Sequence, residues 1–258
     1  MSTDHHGTGH PDERTAELAA GLEATRDRIA AACRDVRRDP SEVTLVVVTK
    51  FFGADDVARL ARLGVRDVGE NRDQEASAKA AEWPTLLTED ERFLAEQVRT
   101  HFIGQLQSRK AGSVAGYADL VHSVDRPKVV GALDRAAQRH ERRLGVCVQV
   151  DLAPLLEGAE EDAGRGGVHP GELLALCQQV AEAEALDLCG LMTVAPPSVE
   201  PAVAFEALAG LHQEVLAEHP GAAMLSAGMS GDLEAAVAAG ATHVRVGSAI
   251  MGARPALG

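Results

Sequence analysis

The feature that most constrains the fold of this chain is an uninterrupted run of β-branched and aliphatic residues over 43–50 that ends on a lysine. Nothing in the run alternates between apolar and polar, which is typical of a strand buried on both faces in a helix-covered parallel sheet. Ligands of such folds bind at the carboxyl ends of the strands. Lys50 is therefore expected to face a pocket, with a structural ion pair to a carboxylate as the alternative.

After Lys50, short apolar runs alternate with amphipathic helical stretches along the rest of the chain. The predicted strands cover 43–49, 65–68, 101–104, 120–124, 144–152, 188–192, 224–227 and 243–246. A long helix over 12–38 precedes them, because apolar positions there recur at helical spacing. Eight strand-and-helix units within 258 residues predict an α/β fold, a single (β/α)8 TIM-type barrel with an extra N-terminal helix.

The barrel is expected to form one domain over 12–258. Residues 1–11 carry His5, His6 and His10 among small polar residues, and they are predicted to be a disordered tail rather than a metal site, which needs ligands on rigid elements. Residues 83–99 are predicted to be a surface excursion, and 153–169 a mobile loop at the ligand-facing end.

The charge balance excludes several classes of partner. With 39 acidic and 25 basic side chains the formal charge is -14, which repels nucleic acid and anionic membranes. No apolar run approaches the roughly 20 residues needed to cross a bilayer, and the N-terminus has no apolar signal core. The four cysteines form no CxxC pair, so neither a metal site nor a disulfide framework is expected. These features favour a cytoplasmic protein with no nucleic-acid or membrane partner.

Two glycine-containing loops follow the seventh and eighth predicted strands. They contain Ser226, Met229 and Ser230 in the first loop, and Gly247 and Ser248 in the second. Backbone N–H groups and hydroxyls at these places in a barrel are typical of a phosphate site. Glycines that serve only as turns are the alternative.

Arg245 and Lys50 complete a set of groups that suits one cofactor. Arg245 lies inside the last strand, where a guanidinium needs an anion, a ring nitrogen or a carboxylate, and the alternation with Val244 and Val246 directs it into the barrel mouth. Removing Lys50 from water favours its neutral amine, which can form a Schiff base. Aldehyde, phosphate and ring nitrogen of pyridoxal 5'-phosphate (PLP) would then meet the lysine, the two loops and the arginine.

Seven separated motifs of the chain resemble those of the pyridoxal phosphate homeostasis protein family, also called the proline synthetase co-transcribed homologue family. They lie in 48–50, 69–75, 101–107, 122–125, 190–192, 226–232 and 244–252, and the resemblance extends over about 18–254 in the family's order. There are departures, since Phe51 and Phe52 follow the lysine where Thr-Lys-Pro is frequent, Arg109 stands where asparagine is usual, and Ala227 replaces a common methionine.

The resemblance implies a barrel related to the N-terminal domain of alanine racemase, with PLP held as a reversible aldimine on Lys50. It also implies that Asn71 lies near the cofactor ring and that Arg245 faces the pyridine nitrogen. The residues implied to surround the phosphate are Ser226, Met229, Ser230, Gly247 and Ser248. Members of the family have no established catalytic residues or turnover. They are thought to act in intracellular PLP homeostasis by buffering PLP or delivering it, with apo forms of PLP-dependent enzymes as candidate recipients.

A fold-type III PLP enzyme, such as a weak amino-acid racemase, is the alternative function. Racemization needs a second acid/base opposite the lysine, commonly a tyrosine or cysteine from an extra β-domain. The one tyrosine, Tyr117, precedes the fourth strand and so falls at the non-catalytic end, and the sequence stops at Gly258 soon after the last strand. An arginine at the ring nitrogen also weakens the ring as an electron sink. We therefore expect a PLP-binding protein without robust catalysis, and a monomer; a Schiff-base aldolase is less favoured.

Overall fold

The fold is a closed barrel of eight parallel strands in sequential order, which confirms the predicted (β/α)8 architecture. The computed structural model describes residues 12–159 and 166–253, so the tail predicted over 1–11 and part of the loop predicted over 153–169 lie outside the described residues. The strands are β1 (Thr44–Val48), β2 (Asp67–Glu70), β3 (Arg99–Phe102), β4 (Leu120–Val124), β5 (Leu144–Gln149), β6 (Leu186–Met192), β7 (Met224–Ser226) and β8 (His243–Val246).

Helices cover the outside of the barrel, and the predicted extra N-terminal helix is present. They are α1 (Glu13–Asp35), α2 (Ala54–Arg62), α3 (Asp73–Glu82), α4 (Phe93–Gln97), α5 (Ala111–Tyr117), α6 (Pro127–Arg139), α7 (Leu173–Ala181), α8 (Pro201–Glu218), α9 (Leu233–Ala238) and α10 (Ser248–Met251). Asp12 caps α1 by accepting a hydrogen bond from Thr15 N. Helix α1 packs on α9 and α10, and an added Cβ at Gly21 would lie 2.8 Å from Ile250 Cα, so glycine permits this close approach.

Four strands begin at positions that differ from those predicted, namely β1 at Thr44, β2 at Asp67, β3 at Arg99 and β6 at Leu186. Strand β2 starts at Asp67 instead of Val65, because Gly64 has φ +84° and Val65 N donates to Leu60 O, so these residues still belong to the turn that closes α2. Strand β3 lies over 99–102 instead of 101–104, in register with β2. Strand β2 also ends later than predicted, at Glu70 instead of Val68, and Glu70 is a buried residue.

The predicted surface excursion over 83–99 consists of two 3-10 turns and the short helix α4 before β3 begins. Cys33, Cys147 and Cys177 are free and buried, while Cys189 is free and partly exposed. Within the described ranges, no His, Cys, Asp and Glu side chains group as a metal site would require. In the same ranges no helix has the length and apolar character to cross a membrane.

Some of the side chains that point from the strands into the barrel are polar. On β8, Val244 and Val246 are fully buried against the surrounding core, and Arg245 alternates with them and is 4% exposed. Its side chain contacts Ser226 of β7 and Thr193, which follows β6, so it projects into the barrel as the alternation predicted.

Candidate functional site

A cavity of about 360 Å³ opens at the carboxyl ends of β1, β2 and β8. Of the side chains that the sequence singled out for a ligand, the cavity is lined by Lys50, Asn71, Met229, Ser230, Arg245, Gly247 and Ser248. Apolar lining comes from Val48, Phe51, Phe52, Ile103 and Val194. A concave site of this size, apolar with a few convergent polar groups, is typical of a small-molecule pocket.

Lys50 follows β1 after one residue, Thr49, and is half-buried. The chain turns sharply after it, since Phe51 has φ +74°, a left-handed conformation that a bulky residue adopts only when its surroundings hold it there. The Phe51 ring lies 6.0 Å from Lys50 Nζ and 4.8 Å from the Arg72 guanidinium, measured to the ring centroid. The strand end and this turn together direct the lysine towards the cavity.

Asn71 follows β2 and lies against the loop after β3. Its Oδ1 is buried and has no hydrogen-bond partner among the residues that the structure describes. A Cβ added at Gly104 would lie 2.1 Å from Asn71 O, so only glycine allows the two loops to approach this closely. An orphaned buried acceptor that lines a cavity can be satisfied by a ligand donor.

The loops after β7 and β8 meet at the other side of the cavity. Ser248 Oγ donates to Ser230 Oγ at 3.4 Å, which joins the two loops directly. Asp232 accepts a hydrogen bond from Met229 N at 2.5 Å, and Arg28 of α1 donates to Ser230 O at 3.0 Å. The sequence did not single out Arg28, because it lies about 200 residues before the loop that it supports.

Arg245 lies deep in the site with two defined partners. It donates from Nη1 to Ser226 Oγ at 2.7 Å and from Nη2 to Thr193 O at 2.8 Å. Burial lowers the pKa of Arg245 to about 10, which leaves it cationic at neutral pH. Ser226 is fully buried and is not among the residues that line the cavity. It lies behind Arg245 and supports the guanidinium.

A chain of buried side chains continues from Ser226 through the barrel interior. The contacts are Ser226 Oγ to His122 Nδ1 at 2.9 Å, His122 Nε2 to His101 Nδ1 at 2.8 Å, and His101 Nε2 to Asp67 Oδ1 at 2.9 Å. If both imidazoles are neutral and Asp67 is ionised, Ser226 donates to His122, His122 donates to His101, and His101 donates to Asp67. Arg245 in turn donates to Ser226. The chain thereby links the buried guanidinium to a carboxylate across the barrel.

The sequence did not predict this series of hydrogen-bonded side chains, although His101 and His122 lie within strands at positions that can face inward. Burial works against ionisation of Asp67, but the hydrogen bond from His101 and the nearby charge of Arg99 hold the pKa of Asp67 below its ordinary value. A polar residue inside an otherwise apolar strand is the signal that could have indicated these buried hydrogen bonds.

Two histidines of the barrel interior make stability depend on pH. Burial lowers the pKa of His243 to about 4 and holds that of His122 well below 6.5. The unfolded chain therefore binds more protons than the folded chain at pH values between these and 6.5, so stability falls as the pH is lowered through this window. We expect urea unfolding to show a loss of about 2 kcal/mol from His243 between about pH 7.5 and about pH 5, with a further loss in the same direction from His122.

The variant His243→Asn serves as the comparison for this measurement. It removes one of the two titrating groups, so its unfolding free energy should depend less steeply on pH than that of the wild type. A wild-type unfolding free energy that stays constant over the same pH range would contradict the assignment.

A larger cleft of about 720 Å³ lies elsewhere, between α3, α4 and α5. Its lining includes Tyr117, Asp119 and His140, which lie at helix carboxyl ends or before a strand, at the opposite end of the barrel from Lys50. Burial raises the pKa of Tyr117, so its hydroxyl stays protonated. We assign the ligand site to the smaller cavity because the strand carboxyl ends and the predicted binding residues meet there.

Comparison with known proteins agrees with the fold. The family model for the alanine racemase N-terminal domain matches residues 22–255. The fold and the site thus define a barrel of the alanine racemase N-terminal domain class. Within that class, the chain belongs to the pyridoxal phosphate homeostasis protein family, as the relatives described next show.

The pyridoxal phosphate homeostasis protein of Mycobacterium tuberculosis is 46% identical to this chain over 256 residues, which cover 96% of each protein. PipY of Synechococcus elongatus, solved with PLP bound, is 31% identical with a TM-score of 0.74, and the match covers 91% of this chain and all of that one. Alanine racemase of Streptomyces coelicolor shares the fold at 21% identity and a TM-score of 0.66, over 93% of this chain and 59% of the racemase.

Proposed function

We propose that this protein binds PLP in the cavity at the carboxyl ends of β1, β2 and β8, and that Lys50 carries it as a reversible Schiff base. The observation that carries the proposal is that Lys50, Arg245 and the loops joined by Ser230 and Ser248 line one cavity of about 360 Å³. The PLP-bound structure of PipY, a relative with the same fold, supports the choice of ligand.

Each group in the cavity has a chemical role towards PLP. The neutral Lys50 amine adds to the aldehyde carbon and one water leaves, while hydrolysis reverses the step. The hydroxyls and N–H groups of Ser230 and Ser248 would hold the phosphate. Arg245 would face the ring nitrogen, and the buried Oδ1 of Asn71 would accept a hydrogen bond from the cofactor.

The same cavity supports a homeostatic role without robust catalysis. When bound, PLP supplies an electron sink, and racemization then requires a second acid/base near the substrate carbon. The described lining of the cavity contains no tyrosine, cysteine, histidine or carboxylate, and Tyr117 lies at the other end of the barrel. Arg245, which stays cationic at neutral pH, would leave the ring nitrogen unprotonated and weaken the sink. We propose buffering or delivery of PLP to apo enzymes, by a monomer.

Reconstitution tests the proposal directly. The apo protein is mixed with PLP, reduced with borohydride and digested, and the peptides are examined by mass spectrometry. We expect one phosphopyridoxyl group on Lys50 and a visible absorption band before reduction. Protein that stays colourless and unmodified under these conditions would refute both PLP carriage and the racemase alternative.

Delivery and catalysis are separated by two further measurements. Holo protein mixed with an apo PLP enzyme, in the presence of a phosphatase that destroys free PLP, is expected to activate that enzyme, whereas the same amount of free PLP is not. Alanine and serine incubated with the holo protein in deuterated water should keep their α-hydrogens. Rapid α-hydrogen exchange would favour the racemase, and a failure to activate under phosphatase would argue against delivery.

A further inference from the structure

A buried ionic cluster lies directly behind the turn that carries Lys50. Lys79 of α3 donates from Nζ to Glu70 Oε1 at 2.6 Å, to Thr49 O at 2.8 Å and to Glu75 Oε1 at 3.3 Å. Thr49 also donates from Oγ1 to Glu70 Oε1 at 2.6 Å. The backbone carbonyl and the side chain of the residue before Lys50 are therefore both held by this cluster.

The residue after Lys50 is held by the same helix. Glu75 Oε1 accepts a hydrogen bond from Phe51 N at 2.5 Å, and Phe51 is the residue with φ +74°. A left-handed conformation costs a bulky residue of order 1–3 kcal/mol, so it persists only where other contacts determine it. A charged acceptor on the Phe51 N–H supplies such a contact.

The cluster is costly to bury, which makes its position informative. The side chains of Lys79 and Glu70 are 6% and 3% exposed, and Oε2 of Glu70 is buried with no partner among the described residues. Burial raises the pKa of Glu70, and the charge of Lys79 opposes this rise. Buried ion pairs often stabilise a fold less than an apolar replacement would, so stability alone is a weak reason for the cluster.

We propose that Glu70, Glu75 and Lys79 are positioning residues for Lys50. They fix the peptide groups of Thr49 and Phe51, and so set the direction from which the Lys50 amine enters the cavity. Lys79 acts through the backbone, and its own amine is committed to three oxygen acceptors. The inference rests on the proposed function, because its consequence is the geometry of PLP capture.

Glu75 offers the cleanest test because its side chain is 28% exposed, so its removal is expected to cost less stability than removal of the more buried Glu70 or Lys79. Glu75→Ala removes the acceptor of Phe51 N–H, whereas Glu75→Gln keeps an oxygen there. We expect Glu75→Ala to raise the PLP dissociation constant about tenfold, the loss of one hydrogen bond to a charged group. Glu75→Gln should restore most of the affinity. Glu82→Ala, an exposed change at the end of the same helix, is the matched control and should bind PLP as the wild type does.

The pH dependence of the absorption band adds a readout that loss of stability alone does not move. A displaced Lys50 amine changes the environment of the Schiff base nitrogen, so the band of Glu75→Ala should titrate at a different pH from that of Glu75→Gln and the wild type. Thermal unfolding of the apo forms confirms that each variant is folded. Lys79→Met extends the test to the centre of the cluster and is expected to weaken binding further.

The outcomes separate this inference from the proposed function. Wild-type protein without an adduct on Lys50 would overturn both. An adduct on wild-type Lys50, together with unchanged affinity and band titration in folded Glu75→Ala, would overturn the positioning role alone. Peptide mapping of the adduct distinguishes Lys50 from Lys79, and an adduct on Lys79 in the wild type would also overturn the inference.

Discussion

Replacing Lys50 with alanine is expected to abolish the visible band of PLP-loaded protein and to weaken PLP binding by about 100-fold or more, the largest functional effect of any single change. The reason is that the amine is the group able to form a covalent link in the cavity, while Arg245 and the serine loops contribute only non-covalent contacts. Spectrophotometric titration with PLP, followed by borohydride reduction and mass spectrometry, measures both effects.

The fold should survive this change, which makes the result interpretable. Lys50 is half-buried and lies in a turn, so we expect the unfolding free energy of the apo protein to change by about 1 kcal/mol or less. Lys128→Ala, at an exposed position of α6, is the matched control and should leave the band intact. Retention of the band and of a borohydride-reducible adduct by Lys50→Ala would show that another lysine carries the cofactor.

A large effect on stability is expected from Gly104→Ala. The new Cβ would lie 2.1 Å from Asn71 O, 2.7 Å from Asn71 C and 2.8 Å from Asn71 Cα. The obstacle is backbone, which cannot turn aside as a flexible side chain can, so one of the two loops must move. We expect a loss of about 3 kcal/mol in the free energy of unfolding, the upper end of what overpacking costs. Chemical denaturation of the apo protein measures it.

The same displacement should reach the ligand site. Asn71 lines the cavity, so moving its backbone is expected to weaken PLP binding in Gly104→Ala even where the protein remains folded. Gly210→Ala is the control, because an added Cβ at this position of α8 meets no atom within 4 Å and alanine favours a helix by up to ~1 kcal/mol. Gly104→Ala protein as stable as Gly210→Ala protein would contradict the close approach of the two loops.

The alternation of strands and helices was readable from the sequence because parallel strands covered by helices need continuous apolar runs. Strands β4 and β8 have the predicted bounds of 120–124 and 243–246. The prediction for β2 started at Val65, because its apolar side chain resembles a strand residue, although Val65 N still closes the turn after α2. Local composition could not show that the strand continues to Glu70, since this residue is polar and finds its partner in another element.

Positions at the ends of strands were also readable, since topology alone brings them to one face of a barrel. Lys50, Asn71, Arg245 and Ser248 line the same cavity for that reason. Ser226 differs. The sequence placed it with the phosphate loop, and the structure shows it fully buried with its hydroxyl between Arg245 and His122. Whether a strand's last residue faces the mouth or the interior depends on the stagger of its neighbours, which spacing along the chain does not encode.

By itself the sequence determined the barrel, and it predicted the end of the barrel for a ligand site and the residue types available there, because these follow from hydrophobic pattern and strand direction. Only the tertiary structure decided which side chains support those residues. His122 and Ser226 are 104 positions apart in the chain, and Lys79 reaches Thr49 across 30. Such contacts form because inward side chains of neighbouring strands converge on the barrel axis and the helix after β2 packs behind β1. The place of Lys50 at a strand end thus identifies it as the candidate ligand lysine. The direction of its side chain is set, in our proposal, by Lys79 and Glu75 of α3.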